Sequence, residues 1–244
     1  MSDLIFHHYP QSPVAEKVRV GMGLKKLSWH SVEIPRIPPK PDLMPLTGGY
    51  RRTPVMQFGA DIFCDSQSIL RELERRYPEP TFFSERSGGL EWGISRWTDT
   101  DLFIAMIKLI LSVSADSIPA EFVKDRTRLY LGENADLREV AKNIPHLVSQ
   151  IRAQLGWIEQ RLAEELDFIS GDKPGLPDAQ FYYLIWFLRG RWDGGPGLLS
   201  EFPALEAWEA RIQEIGHGTS TELSSTEALV IAKASTTEFS LDID

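Results

Sequence analysis

Residues 53–66 read Thr-Pro-Val-Met-Gln-Phe-Gly-Ala-Asp-Ile-Phe-Cys-Asp-Ser. Two short apolar runs, 55–58 and 62–64, flank a Gly-Ala-Asp turn, and this pattern predicts a β-hairpin. A proline directly before the first run fits the start of a strand, where the sheet loses no hydrogen bond. The closing Asp-Ser pair predicts the start of a helix, because both residue types are preferred at helix N-caps.

The residues before this hairpin predict the rest of a small α+β domain. The apolar run 4–6 is typical of a buried strand, and residues 14–22 carry apolar side chains at helical spacing. Ser12 stands at the N-cap of this helix, with a proline at its first position. A second strand is predicted over 27–34, and the proline-rich stretch 35–50 predicts an irregular loop. With a further helix after the hairpin, the predicted order is β-α-β-β-β-α.

The remainder of the chain predicts helices alone. Apolar residues recur at helical spacing in the stretches 90–115, 145–166, 177–189, 204–215 and 226–234. The third of these is apolar on nearly all sides, which is typical of a helix at the centre of a bundle. We therefore expect an α+β domain over 1–80, an all-helical domain over 88–216 and a polar C-terminal tail over 217–244.

Composition argues against several classes of protein. The 244 residues are 42% hydrophobic and carry a net charge of −9, which is typical of a globular protein without the basic face that nucleic acid requires. No apolar stretch is long enough to span a membrane, and residues 1–10 lack the features of a signal peptide. The single cysteine, Cys64, cannot form a disulfide within the chain, which favours a cytoplasmic location. His7 and His8 point to opposite faces of a strand, so no metal site is expected there.

Two predicted helix starts carry groups suited to ligand binding. The Ser12 hydroxyl and the free N–H groups of the first helical turn would converge at a positive helix end, where an anion or thiolate is stabilised. At the helix after the hairpin, Asp65 could hold an ammonium group, and the N–H groups beside Ser66 could hold a carboxylate.

Three features follow one another along the chain: Ser-Pro with a following Lys-Val-Arg, Thr-Pro-Val before a hairpin, and Asp-Ser at the start of a helix. In this order they resemble the cytosolic glutathione transferase superfamily. The likeness covers about residues 3–215 and is to serine-type members of a bacterial or fungal kind. It implies a thioredoxin-like N-terminal domain, an all-helical C-terminal domain and a homodimer. It also implies glutathione as cosubstrate, with no metal.

The resemblance assigns Ser12 the role of donating a hydrogen bond to the glutathione sulfur, with Tyr9 as the alternative hydroxyl. A free thiol with a pKa of about 8.5 is only about 3% ionised at pH 7. One hydrogen bond to a charged group plus a helix N-terminus contribute roughly 2.7 kcal/mol, which corresponds to about two pKa units. One serine at a helix start can therefore activate the thiol without a metal.

The same resemblance implies the partners for the rest of glutathione. The backbone of Thr53 would pair with the cysteinyl part, Pro54 would be the cis-proline of the family, and Asp65 and Ser66 would hold the γ-glutamyl end. Three cations are candidates for the glycyl carboxylate, namely Lys40, Arg51 and Arg52.

Departures from the family pattern limit the reaction. Positions 12–15 read Ser-Pro-Val-Ala without the paired cysteines of thioredoxins, so disulfide reduction is not expected. Gly175 replaces the hydroxyl residue of a capping motif that Asp178 would half complete. The second substrate is expected to be a small, partly apolar electrophile, with Trp97 or Asp101 as candidate pocket residues. Two alternatives to a transferase remain. One is another glutathione-dependent reaction, namely isomerisation, dehalogenation or ether cleavage, and the other is a non-catalytic binding module.

Overall fold

A computed structural model describes residues 3–84 and 89–237. The chain divides into two compact units, one comprising the residues up to Phe82 together with those from Ile215 on, the other Phe83–Glu214. The described elements, in chain order, are β1 (Leu4–His8), α1 (Pro13–Leu24), β2 (Ser28–Glu33), α2 (Met44–Thr47), β3 (Val55–Phe58), β4 (Asp61–Cys64), α3 (Ser66–Arg76), α4 (Leu90–Trp97), a π-helical turn (Thr98–Leu102), α5 (Phe103–Ser114), α6 (Ala120–Leu131), α7 (Leu137–Ala141), α8 (Ile144–Leu162), α9 (Leu176–Arg191), α10 (Gly195–Leu199), α11 (Pro203–Ile215), β5 (Thr219–Glu222) and α12 (Ser225–Ala234).

The first unit is built on a mixed sheet with the strand order β4-β3-β1-β2-β5. β1 runs parallel to β2 and antiparallel to β3, and β3 pairs antiparallel with β4. The order β-α-β-β-β-α is confirmed for the described residues up to Arg76, apart from one extra helical turn. That turn, α2, interrupts the predicted loop because Pro45 lies in its first turn, where a missing N–H group costs nothing.

The two faces of the sheet are covered by different parts of the chain. Since side chains alternate along a strand, His8 points toward α1, where Arg19 contacts its ring. Ile5 and Val55 lie in an apolar cluster that also contains Ala228 of α12. The C-terminal segment therefore covers the sheet face opposite α1.

The described part of the predicted polar tail contains one strand and one helix. β5 pairs in parallel with β2, and α12 begins with a capping box formed by Ser224 and Glu227. Gly216 and Gly218 lead into β5 with φ of +68° and +74°, a backbone region that glycine enters at little cost. β5 was not predicted because all four of its residues are exposed and polar.

The second unit is helical, as predicted, and the two-domain fold class is confirmed. Its central helix is α9, in which Phe181 and Tyr183 are completely buried. The predicted helix over 90–115 is divided by the π-helical turn, where the Tyr183 hydroxyl donates to the Thr98 carbonyl at 2.8 Å. The helices α6, α7 and α10 were not predicted. Within the described ranges, no helix is both long and apolar enough to cross a membrane.

The N-terminal end of α9 contains the half capping motif expected from the sequence. The Asp178 carboxylate accepts the Gly175 N–H at 2.8 Å, which is one of the two bonds of the full motif. It also accepts from the Ser170 hydroxyl at 2.6 Å and from Trp208 Nε1 at 2.8 Å. Because Asp178 is completely buried, these donors satisfy a charge that would otherwise destabilise the fold.

Candidate functional site

The predicted site segments meet at one edge of the first unit's sheet. His7 is the register partner of Val55, and Val55 is also the partner of Cys64. The residues that follow β1, precede β3 and follow β4 therefore lie side by side. These are the segments 9–12, 53–54 and 65–66.

Ser12 is the N-cap of α1, as predicted. Its Oγ accepts the Ala15 N–H at 3.2 Å, and the residue is 2% exposed. The cap uses the oxygen as an acceptor and leaves the hydroxyl proton unused. Among the residues that the structure describes, none accepts that proton, so it is available to a ligand atom at this helix end.

Tyr9, the alternative hydroxyl, lies mainly in the apolar cluster. It is 6% exposed and packs with Ile34, Leu43 and Val55. The ring centroid is 6.0 Å from Lys40 Nζ. Its carbonyl accepts the Ser12 N–H at 3.1 Å, so Tyr9 shapes the turn that leads into the helix cap.

The Thr53–Pro54 peptide bond is cis, as the family resemblance implies. Thr53 lies two residues before Val55, the first residue of β3, so its N–H and C=O lie just outside the paired part of that strand. The Thr53 hydroxyl accepts from Lys40 Nζ at 2.9 Å. Lys40 is 3% exposed, so a buried ammonium group lies beside this backbone.

Asp65 and Ser66 form the start of α3. The Asp65 carboxylate caps the helix by accepting the Gln67 N–H at 2.9 Å, and the side chain is otherwise exposed. Asp65 has a φ of +77°, a conformation that costs a non-glycine residue roughly 1–3 kcal/mol and that clusters at ligand-binding sites. Ser66 is buried, and its hydroxyl has no partner within the described ranges.

A buried ionic cluster behind this edge was not predicted. The Arg19 guanidinium donates to the Pro10 carbonyl at 3.0 Å and, through Nε, to Glu16 Oε2 at 2.8 Å. Glu16 Oε1 contacts His217 Nε2 at 2.8 Å. Arg19 belongs to the Lys-Val-Arg motif, but His217, which contacts Glu16, lies 201 residues away from Glu16 in the sequence.

The two histidines of β1 have structural partners. His7 Nε2 contacts Gln57 at 2.8 Å and His8 Nε2 contacts Ser31 at 2.9 Å, on opposite faces of β1. Burial raises the pKa of the half-buried Cys64 thiol, and the nearby carboxylate of Asp65 adds to this. Over residues 3–84 and 89–237, no group of three or more His, Cys, Asp or Glu side chains is placed to hold a metal ion.

In the second unit, the two candidate pocket residues differ in their surroundings. Trp97 Nε1 donates to Gln154 Oε1 at 2.6 Å, and its ring lies 5.6 Å from that of Trp157. Asp101 is exposed on the π-helical turn. Trp97 thus has a packing role within the helical unit.

The fold and the site edge define a two-domain protein whose first domain is thioredoxin-like. The sequence profile of the glutathione S-transferase N-terminal domain matches residues 6–81, and that of the C-terminal domain matches residues 134–211. A GST-like protein from Pseudomonas syringae is 32% identical, aligned over 100% of this chain and 78% of its own, with a TM-score of 0.76. The chain therefore belongs to the glutathione S-transferase family.

More distant solved structures share the fold. Glutathione transferase GSTFuA2 from Phanerochaete chrysosporium is 18% identical over 89% of this chain and 100% of its own, with a TM-score of 0.69. A tau class glutathione S-transferase from mango, Mangifera indica, is 15% identical over 95% of this chain and 98% of its own, with a TM-score of 0.65. No curated protein matches the chain.

Proposed function

We propose that the protein is a serine-type glutathione transferase that activates the thiol of glutathione for attack on a small, partly apolar electrophile. The observation that carries the proposal is the register of the sheet, which brings Ser12, Thr53 and Asp65 to one edge. Neighbouring strands lie about 4.8 Å apart, so the ends of β1 and β4 are about 10 Å apart. An extended tripeptide spans about 10 Å.

Each part of glutathione then meets a group of suitable chemistry. The γ-glutamyl ammonium pairs with Asp65, and its carboxylate meets Ser66 and the first N–H groups of α3. The cysteinyl backbone pairs with the N–H and C=O of Thr53. Lys40 is the best placed of the three cations for the glycyl carboxylate, because its ammonium group is buried beside Thr53.

Ser12 stabilises the thiolate in this arrangement. Its hydroxyl donates to the sulfur while its oxygen continues to cap α1, and the positive helix end adds to the stabilisation. The thiol proton leaves to solvent, the sulfur forms a bond to the electrophilic carbon, and the leaving group departs with its electron pair. Tyr9 is less suited to this role, because its ring packs in the apolar cluster.

The family and the composition also support a proposal for the binding domain, the location and the oligomeric state. We assign glutathione binding to the domain over 1–80 and propose that the protein acts as a cytoplasmic homodimer. Isomerisation, dehalogenation and ether cleavage use the same thiolate, so the identity of the electrophile distinguishes them. A non-catalytic binding module differs by showing no turnover.

The test combines calorimetry with titration of the bound thiol by its ultraviolet thiolate absorbance. In the wild-type protein, we expect glutathione to bind with a thiol pKa about two units below its free value. Ser12→Ala should bind glutathione with a thiol pKa at least one unit higher than in wild type. Ser68→Ala is the matched control, because Ser68 is an exposed serine on α3.

Asp65→Asn tests the γ-glutamyl contact separately. Asparagine also caps helices and tolerates positive φ, so the fold is kept while the charge is removed. We expect the Kd for glutathione to rise at least tenfold, as for the loss of a hydrogen bond to a charged group. Wild-type protein that binds no glutathione, or a bound thiol that titrates as in water, would refute the proposed function.

A further inference from the structure

The carbonyl that precedes the Ser12 turn is held by a buried arginine. Arg19 Nη2 donates to the Pro10 carbonyl at 3.0 Å, and Nη1 contacts His8 Nδ1 at 2.9 Å. Arginine has no acceptor, so His8 Nδ1 must be the acceptor, and the Nε2 hydrogen is donated to Ser31. Arg19 thus ties the end of β1 and the turn after it to one turn of α1.

Glu16 holds the arginine in place. Its Oε2 accepts from Arg19 Nε at 2.8 Å and from Nη2 at 2.5 Å. The Glu16 side chain is 3% exposed, and burial alone would raise its pKa. The contacts to His217 and Arg19 outweigh burial and leave the pKa of Glu16 below its ordinary value.

The second carboxylate oxygen of Glu16 connects the cluster to the C-terminal segment. It contacts His217 Nε2 at 2.8 Å. The backbone of His217 is itself fixed, because its carbonyl accepts from Trp29 Nε1 at 2.8 Å and the Thr219 N–H donates to the Leu27 carbonyl at 2.9 Å. The buried side chains of Arg19 and Glu16, together with the exposed side chain of His217, therefore join residue 217 to residue 10.

We propose that Arg19 is a positioning residue for the sulfur-binding turn 9–12, and that His217 acts on this turn through Glu16. The inference rests on the proposed function, since it assigns the turn its role in holding the sulfur. A hydroxyl must lie within a few tenths of an ångström of its productive position to stabilise a thiolate. Arg19 fixes the backbone two residues before Ser12, and the C-terminal segment fixes Arg19.

The test measures the pKa of the bound glutathione thiol, kcat and KM in matched variants. Arg19→Lys keeps the charge but loses the planar set of donors that reaches Pro10, Glu16 and His8 together. We expect the thiol pKa to rise by about one unit, so that the thiolate fraction and with it kcat fall about threefold at pH 7 and about tenfold at pH 5.5. The KM for glutathione should change less than about threefold, because the Thr53 and Asp65 contacts remain.

Two variants of His217 test the same chain of contacts, starting from the C-terminal segment. His217→Ala should raise the thiol pKa by about half a unit, and His217→Gln should restore the wild-type value because its amide can still donate to Glu16. His30→Ala is the control: His30 Nδ1 contacts Thr221 of the same segment at 2.9 Å, without reaching Arg19. It should lower the melting temperature but leave the thiol pKa unchanged.

The outcomes separate this inference from the proposed function. If wild-type protein does not lower the thiol pKa, the proposed function fails and the inference fails with it. If wild-type protein lowers it and folded Arg19→Lys and His217→Ala keep the wild-type value, the inference alone is overturned. The same holds if His30→Ala shifts the thiol pKa as much as His217→Ala does. His217 is 42% exposed at its side chain, so its variants test the inference even if Arg19→Lys does not fold.

Discussion

Replacing Gly23 by alanine should destabilise the protein, although the same change usually stabilises a helix. In a helix interior, glycine is about 1 kcal/mol less favourable than alanine. At Gly23, however, an added Cβ would lie 2.0 Å from the carbonyl oxygen of Gly216. That oxygen belongs to backbone, and the neighbouring residue 217 is fixed by the Trp29 indole, so the segment cannot easily move away.

The magnitude follows from the two opposing terms. Overpacking of this kind costs about 1–3 kcal/mol, and the contact lies well below van der Waals distance, so the upper part of that range applies. After subtracting the helix gain, we expect a loss of about 2 kcal/mol, or about 4–8 °C in Tm for a chain of this size. Gly156→Ala is the control, since its added Cβ would meet only Phe202 at 4.0 Å.

Urea unfolding followed by circular dichroism, together with thermal melting, measures both variants. Gly156→Ala should gain about 0.5–1 kcal/mol, and Gly23→Ala should move in the opposite direction. An increase in Tm for Gly23→Ala as large as that for Gly156→Ala would refute the reasoning, because it would mean that the Gly216 carbonyl does not pack against Gly23 of α1.

Three further predictions concern buried groups. Burial and the charge of Arg19 lower the pKa of His8 to about 3, so only the unfolded chain gains this proton as the pH falls below 6.5. His8 should therefore cost about 1.4 kcal/mol of stability per pH unit as the pH falls from 6.5 toward 3, and the urea midpoint of His8→Gln should depend less on pH. An equal slope in both proteins would contradict this. Trp208→Phe removes the donor to Asp178 and should lower the free energy of unfolding by about 2 kcal/mol; an unchanged urea midpoint would be inconsistent with that bond. The Cys64 thiol, whose pKa is raised by burial, should react with iodoacetamide several-fold more slowly than free cysteine at pH 7.5; a reaction faster than that of free cysteine would contradict this.

The parts of the fold that local patterns encode were predicted well. The hairpin was expected at 55–58 and 62–64, and the strands are Val55–Phe58 and Asp61–Cys64. Apolar runs, a turn and an N-cap pair lie within fourteen residues there, so no distant contact is needed to define the structure. The Ser12 cap was predictable for the same reason.

The parts that depend on distant contacts were not predictable. β5 is polar throughout, and only its pairing with β2 makes it a strand. The Arg19 cluster needed His217, which no local pattern connects to Glu16. Likewise, nothing in the sequence of the predicted helix over 90–115 marks its π-helical turn, where Tyr183 provides a hydroxyl donor from another helix.

The pairing of β5 with β2 means that the first unit is discontinuous in sequence, with the helical unit inserted between its two parts. During translation, β5 is therefore synthesised only after the whole helical unit. Until then, β2 has an open edge, which is prone to pairing with other chains. The N-terminal 82 residues are consequently a poor module for transfer into fusions, and any chimera between relatives should exchange residues from 215 on together with them.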